Sequence, residues 1–491
     1  MSDGALLDLV SRGKKDAYQI QDPIRTWFGS PYETRSPSTH EIRLLYPENS
    51  PRFGQWFDIV IPSDGDIIMS FDLRVTMPTW LPTDIAALND NTALYSVTVD
   101  SRPYTVLAND YIGSNTFTPY THAPYATQYG WCDAVVNNLV SRWGLFVDNI
   151  MILSGYGEFN TWFPDMDTTQ LHAPLLHAST GRNSGSPDSI QKNATLPELI
   201  FRIPLPGCQG KADTGLPICA FKNQKVYVRV WLQDKTRLVE SYELQHNTVS
   251  SNLPLPLYEL SPTPWNGRQI YVNGVPTART ITEAQMGHPY IYARTTILNL
   301  DNELRKSLAT QKFEIRFRQQ RRDYWTITSA DFVSGVNYRR VIQLNGFFQS
   351  IFLYFRTVAR TQQNKYTNVY PTNPKNKILT EWLSSLSLNV NGQDRIYPWS
   401  PKLVTTLANN TQLARDVNVG LYYFIFGVSP DNEPGGACNL SRCLKSVLNL
   451  SFGTVQPDPM TGSNTTYANL LGLTWNILDI NDGLAILRFP D

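Results

Sequence analysis

Leu386 to Arg395 reads LSLNVNGQDR. Leu386, Leu388 and Val390 alternate with Ser387 and Asn389, the period of two that marks a strand with one buried face. The strand runs into Asn391-Gly392, a dipeptide that tolerates positive φ at both positions and so suits a two-residue hairpin turn. A strand with one wet face that reverses on itself belongs to an antiparallel sheet. The same alternation recurs on either side. Val226, Val228, Val230 and Leu232 alternate with Tyr227, Arg229 and Trp231; Phe313, Ile315 and Phe317 with Glu314, Arg316 and Arg318; Leu448, Leu450 and Phe452 with Asn449 and Ser451. Ile351 to Phe355 is apolar throughout, which predicts a strand buried on both faces or covered by a neighbouring subunit.

Long Gly-, Pro-, Ser- and Asn-rich loops separate these strands, at 180–195, 362–376 and 457–466. Such loops are unusual in compact domains and tend to be functional. The clearest helical stretch is Asp301 to Ala309, and Ala5 to Val10 has Leu6, Leu9 and Val10 on one helical face. The Pro-rich Ser250 to Pro264 divides the chain into two β-rich parts of similar size. Each part has a strand ending in a Gly turn, read at Ile150–Glu158 (IMILSGYGE) and Leu386–Arg395. The residues therefore predict two similar all-β sandwiches in tandem, and a jelly roll closes such a sandwich with little exposed edge.

The 491 residues allow two or three domains and a large core. Hydrophobic residues make up 42% and aromatics 12%, with 33 prolines, a composition suited to strands and turns rather than helix interiors. Lys and Arg total 42 against 42 Asp and Glu, so the chain lacks the basic excess that displaces counterions from nucleic acid. The five cysteines are odd in number and have no CxxC spacing, which predicts free thiols in a reducing compartment rather than a disulfide framework or zinc knuckle. Neither a signal-peptide pattern nor a stretch of about 18 apolar residues is present, so the chain is expected to fold in the cytosol.

Motifs that carry chemistry are missing. There is no GxSxG, P-loop, HExxH or GxGxxG after a strand. The six histidines, His40, His122, His172, His177, His246 and His288, include no i+2 or i+4 pair. Asp64-Gly65-Asp66 reads as a hairpin turn between Phe57–Ile61 and Ile67–Val75 rather than a metal-binding DxD, and Asp165 with Asp167 has the same two alternatives. Arg316, Arg318, Arg321 and Arg322 beside Tyr324 and Trp325 form a basic, aromatic run. On a neutral chain this is expected to be a solvated or inter-subunit face rather than a nucleic-acid site. Of five glycosylation sequons, Asn193 and Asn464 lie in loops and are the candidates for modification. Asp394 and Arg395 are expected to form a charge-assisted pair that orders the loop after Asn391-Gly392.

Several segments, in order along the chain, resemble the major capsid proteins of nucleocytoplasmic large DNA viruses, such as iridoviruses and phycodnaviruses. They are Ala5–Asp16 (ALLDLVSRGKKD), Phe57–Pro78, Ile150–Trp162, Leu196–Leu232, Leu300–Ala309, Leu388–Arg395 (LNVNGQDR) and Asn432–Arg442 (NEPGGACNLSR). Gly435-Gly436-Ala437 and Cys443 depart from that family's usual Ser-Gly-Thr and Ile. The resemblance implies an all-β chain of two tandem eight-stranded antiparallel jelly rolls, with long loops and few short helices. It divides as an N-terminal arm with a short helix (1–25), a first jelly roll (26–249), a linker or insertion (250–288) and a second jelly roll (289–491). It also implies a structural subunit without cofactor, metal or catalytic residues. Three copies would form a pseudo-hexagonal capsomer of an icosahedral shell, assembled in the host cytoplasm. The partners implied are neighbouring capsomers, minor capsid proteins and, through the N-terminal arm, an inner viral membrane, with no direct nucleic-acid contact. Two other readings stand beside it: a scaffold or minor capsid component of the same fold, and a β-sandwich carbohydrate-active protein with two facing carboxylates.

Overall fold

The computed structural model describes residues 38–78, 94–99, 102–107, 125–167, 173–182, 196–208, 215–221, 224–245, 257–259, 269–272, 275–278, 287–332, 336–358, 361, 364, 366–367, 383–404, 420–426, 436–443, 445–453, 465–481 and 483–489. The expected N-terminal helix, most of the Pro-rich linker and the two candidate sequons, Asn193 and Asn464, lie outside the described residues.

The first sandwich is built from β1 (Ser38–Leu45), β2 (Trp56–Val60), β3 (Ile67–Thr76), β4 (Val140–Val147), β5 (Ile150–Gly155), β6 (Leu199–Arg202), β7 (Leu216–Pro217), β8 (Val226–Leu232) and β9 (Tyr290–Leu300). One sheet has the order β1-β9-β3-β7, with β6 also pairing β3, and the other the order β2-β8-β4-β5. The second sandwich follows with β10 (Phe313–Ile327), β11 (Asn337–Val341), β12 (Phe347–Thr357), β13 (Leu383–Val390), β14 (Gln393–Trp399), β15 (Leu421–Ile425), β16 (Cys438–Asn439), β17 (Ser446–Phe452), β18 (Thr466–Asn481) and β19 (Leu484–Leu487). Its sheets are β10-β18-β12-β15, with β16 on β12 and β19 on β18, and β11-β17-β13-β14. Each strand of the first sandwich thus has a counterpart nine labels later; the further described strands between β3 and β9 (Leu94–Val99, Arg102–Leu107, Tyr125–Trp131, Val239–Gln245, Leu257–Glu259, Gln269–Val272 and Val275–Ala278) form separate small sheets. Both halves are jelly rolls, in which the place beside the third strand is filled by two short strands.

The duplication extends to single hydrogen bonds. Asp148 N–H donates to Lys225 O (2.7 Å), and Lys225 N–H returns to Asp148 Oδ1 (2.8 Å). Asn391 N–H donates to Lys445 O (2.9 Å), and Lys445 N–H returns to Asn391 Oδ1 (3.2 Å). The same turn therefore follows β4 and β13. The Gly turns matched in the sequence are one strand out of register, because the counterpart of Leu383–Val390 is Val140–Val147 and not Ile150–Glu158. The first copy of the turn carries no glycine. Asp148 itself takes φ 52° there, held by its side chain on Lys225 N–H.

In the second copy Asn391 and Gly392 have φ 53° and 85° and close Val390 onto Gln393, a tight hairpin with both central residues left-handed. A Cβ at Gly392 would meet nothing within 4 Å, so only backbone strain opposes substitution. Gly392→Val should cost about 1–3 kcal/mol in chemical denaturation, and Gly392→Asn, which tolerates positive φ, should cost less than half as much.

The alternation read in β8 places Val226, Val228, Val230 and Leu232 in the first core. Its other face carries Tyr227 stacked on Phe146 at 5.1 Å and Arg229 over Trp56 at 4.1 Å. Arg229 also donates from Nε and Nη2 to the two oxygens of Asp58, at 2.7 and 2.8 Å. Tyr227 and Trp231 therefore pack within an aromatic and cationic face of their own sheet.

Three sequence expectations change. Asp64-Gly65-Asp66 is not a hairpin, because β2 and β3 belong to different sheets. Instead Asp64 pairs with Arg43 at 2.6 Å, and the buried Asp66 accepts Leu300 N–H at 2.7 Å and meets Arg305 at 3.0 Å. Asp66 thus fixes the start of the helix Asn302–Thr310, close to where helical periodicity placed it. Asp165 and Asp167 fall in the last turns of α1 (Gly157–Asp167) rather than in a tight turn. Finally, β9 pairs β3 from Tyr290↔Thr76 to Leu298↔Ile67, with one register shift after Thr296. By hydrogen bonding, the first sandwich extends to Leu300 and the second begins at Phe313, not at 289. The sequence offers no sign of this, since pairing partners as far apart as Tyr290 and Thr76 leave no local pattern.

Candidate functional site

The residues with the most unusual environment lie where the two sandwiches meet. Gly155 ends β5, and α1 starts two residues later with Gly157, Glu158 and Phe159. Tyr156 N–H between them donates to Gln320 Oε1 on β10 at 2.9 Å. Alternation along β12 then sends its side chains two ways. Ile351, Leu353 and Phe355 enter the second core, while Phe352 and Tyr354 face α1. Phe159 meets Phe352 and Trp162 meets Tyr354, each with ring centroids 5.5 Å apart. Leu421 and Tyr423 of β15 and Leu471 and Leu473 of β18 complete this apolar layer. The all-apolar run Ile351–Phe355 is therefore buried on both faces by its own chain.

A charged cluster sits inside the layer. Arg356 donates to Glu158 at 2.7 Å, to Tyr366 O at 2.9 Å and to Thr361 Oγ1 at 3.1 Å. Arg322 lies 3.4 Å from the other oxygen of Glu158 and donates to Asn469 Oδ1 at 2.8 Å. Burial drives the Glu158 pKa upward, but Arg356 and Arg322 pull it down further, and it rests below the ordinary glutamate value. Burial and the Glu158 charge hold the Tyr354 hydroxyl well above its ordinary value, so it stays neutral. A second tie crosses the seam, from Thr367 Oγ1 to Asp133 Oδ2 at 2.6 Å.

The site suits permanent docking rather than proton transfer. Its carboxylate is fully engaged by cations, and nothing holds it near neutrality. The adjoining groove of about 370 Å³ is lined by Ile150, Met151, Leu153, Ile486 and Leu487 with Gln319, and its lining includes no carboxylate. Among the described residues no group of three or more His, Cys, Asp or Glu is placed to hold a metal. No disulfide joins the five cysteines; burial pushes Cys208 up to about 12 and Cys219 up to about 11, so both are protonated at neutral pH.

The basic run divides. Arg316 is exposed, while Arg322 turns inward to Glu158 and Asp323 meets Arg340 at 3.6 Å. Asp394 and Arg395 do not pair. Neighbours on a strand point to opposite faces, and Asp394 instead accepts from Asn389 Nδ2 at 2.9 Å. Asp394 is exposed, so removing it leaves no buried charge. Asp394→Ala should cost no more than about 1 kcal/mol in thermal or urea melts, not the several kcal/mol of a broken buried pair.

Neither protein-family models nor curated proteins match this sequence. Solved structures do. The chain is similar to the PBCV-1 virus capsid protein, at TM-score 0.66 and 14% identity over 95% of this chain and all of that one. It is similar to the Faustovirus major capsid protein, at TM-score 0.64 and 11% identity over 97% and 96%. It is also similar to a chain of the Sputnik virophage, at TM-score 0.51 and 10% identity over 96% and 91%. At these identities the likeness establishes the fold, a double jelly roll from one end of the described chain to the other.

Proposed function

We propose that this chain is a structural subunit of an icosahedral DNA virus shell, three copies of which form one pseudo-hexagonal capsomer. The observation that carries the reading is the tandem duplication. Two jelly rolls with the same strand order are locked together by a buried seam, so three chains supply six similar lobes to a closed ring. Solved capsid proteins that match over nearly the whole chain support it. The division proposed here is an arm (1–25), a first jelly roll that the insertion 250–288 interrupts before its last strand, Tyr290–Leu300, and a second jelly roll from Phe313. In this reading neighbouring capsomers and minor capsid proteins are the partners, the virion is the location, and no catalysis is required. A scaffold of the same fold would be found in immature particles and lost from mature ones.

Sedimentation of the purified protein at micromolar concentration tests the reading. The expected species has three times the 55.7 kDa chain mass. Electron microscopy should show hexagonal outlines. A monomer at that concentration would count against the capsomer, since obligate interfaces of about 2,000 Å² or more do not open on dilution to micromolar.

A further inference from the structure

We propose that the outer face of the β1-β9-β3 sheet receives the helical turn 401–404 of a second copy of this chain, head to tail. The inference rests on the capsomer reading and names the surface that would make it. The seam within the chain is directional. The first sandwich contributes the helix that follows its fifth strand, with Glu158, Phe159 and Trp162. The second contributes the outer face of its larger sheet, with Phe352, Tyr354, Leu421, Tyr423, Leu471 and Leu473. Because the two halves are copies, each owns the element that this seam leaves unused. The second sandwich has a helix after its own fifth strand, and the first has the outer face of its own larger sheet.

The correspondence can be followed residue by residue. Strand β5 ends at Gly155 and α1 begins at 157; β14 ends at Trp399 and a helical turn begins at 401. Leu403 therefore takes the place of Phe159, and Lys402 that of Glu158. On the sheet side, Ile203 N–H bonds Phe71 O at 3.0 Å and Phe426 N–H bonds Gln349 O at 2.9 Å, which aligns Phe71 with Gln349. Arg74 and Thr76 then occupy the places of Phe352 and Tyr354. Across the ladder, Tyr292 and Tyr290 occupy the places of Leu471 and Asn469.

The two sets differ in what covers them. Phe159 is 2% exposed in the seam, whereas Leu403 is 42% exposed. Tyr290 is 57% exposed and Ile42, on the neighbouring edge strand, 56%. Leu44 and Tyr46 follow Ile42 on the same face, and the rings of Tyr46, Tyr292 and Tyr290 are spaced 6.2 and 5.9 Å apart. A contiguous apolar and aromatic face of this kind marks an interaction surface. Charge also agrees. Glu158 meets arginines in the internal seam; at its place Lys402 carries the opposite sign, and the receiving face holds Glu198, 2.5 Å from the Tyr292 hydroxyl and 3.5 Å from Arg74. The receiving face is more polar than the internal one, as fits chains that fold first and associate afterwards.

A head-to-tail contact makes a distinctive test possible with full-length protein. Leu403→Asp spoils only the inserting turn, and Tyr290→Asp only the receiving face. Each alone should weaken association on the order of 100-fold, the usual effect of removing an interface anchor, and sediment as a monomer where the unaltered chain is a trimer. Mixed in equal amounts, the two should form a 1:1 dimer and nothing larger, because one intact face of each remains. Leu403→Ser with Tyr290→Ser repeats the readout should an aspartate disturb folding, which circular dichroism reports. Trimers from both variants would overturn this surface while leaving the capsomer reading intact. Monomers that do not pair on mixing would overturn the head-to-tail contact. A monomeric unaltered chain would overturn the capsomer itself, and this contact with it.

Discussion

Replacing Arg356 with methionine should destabilise the protein by about 3–5 kcal/mol, the usual result of breaking one partner out of a buried ion pair. Arg356 is 6% exposed and carries three hydrogen bonds, to Glu158, Tyr366 O and Thr361. Without it Arg322, at 3.4 Å, is the one cation left on Glu158 among the described residues, and the carboxylate charge remains out of water. The double change Glu158→Leu with Arg356→Met removes both charges together and should recover most of the loss, since apolar replacement of a whole buried pair is often neutral. Urea denaturation at pH 7 measures both. The pair also predicts acid behaviour. The folded Glu158 pKa lies below the unfolded 4.5, so its stabilisation is complete above 4.5 and fades as pH falls through the folded value. Urea midpoints taken stepwise below pH 4.5 should fall in the unaltered chain, and the double variant should lack this share of the fall.

Gly157→Ala should be nearly as damaging, at about 3 kcal/mol, the upper part of the range for overpacking. A Cβ there would stand 2.0 Å from Val140 O and 2.1 Å from Asn137 O. Both are backbone atoms held by the first sandwich, so neither can swing aside. The helix would have to lift, moving Glu158 off Arg356 and Phe159 off Phe352. Thermal melts should show the loss, and the same variant should expose the seam to hydrogen exchange at Tyr156 N–H, which is bonded across it to Gln320.

Much of the fold is legible in the sequence because its signal is local. The alternation in β8 and β17 and the Asn391-Gly392 turn depend on neighbours within a few residues, and the structure places those strands within a few residues of where alternation does. The seam is different. Ile150–Trp162 stands out as a strand, a Gly turn and an acidic, aromatic segment, but nothing in it says that Glu158 meets Arg356, 198 residues away. Arg322 looks like part of a solvated basic run because alternation describes one sheet and is silent about a second body packed on its outer face. The pairing proposed for Asp394 with Arg395 fails for an elementary reason, that consecutive strand residues diverge. Two similar halves are legible, but their strand-by-strand match is not, because the two copies of one turn solve the same backbone problem differently, with Asp148 in one and Asn391-Gly392 in the other.

The two longest strands, β10 and β18, pair without a break from Phe313↔Ile480 to Ile327↔Thr466. Phe317, Leu478 and Ile480 belong to the first core, while Trp325, Ile327, Ala468 and Leu470 belong to the second. At about 3.3 Å per residue, this ladder is a girder about 50 Å long set into both halves of the chain. Tilting one half against the other would require bending the girder or shearing its hydrogen bonds, not merely opening a hinge. If the chain builds a shell, as proposed above, that shell would take up its curvature at the joints between chains, with each chain behaving as an inflexible tile.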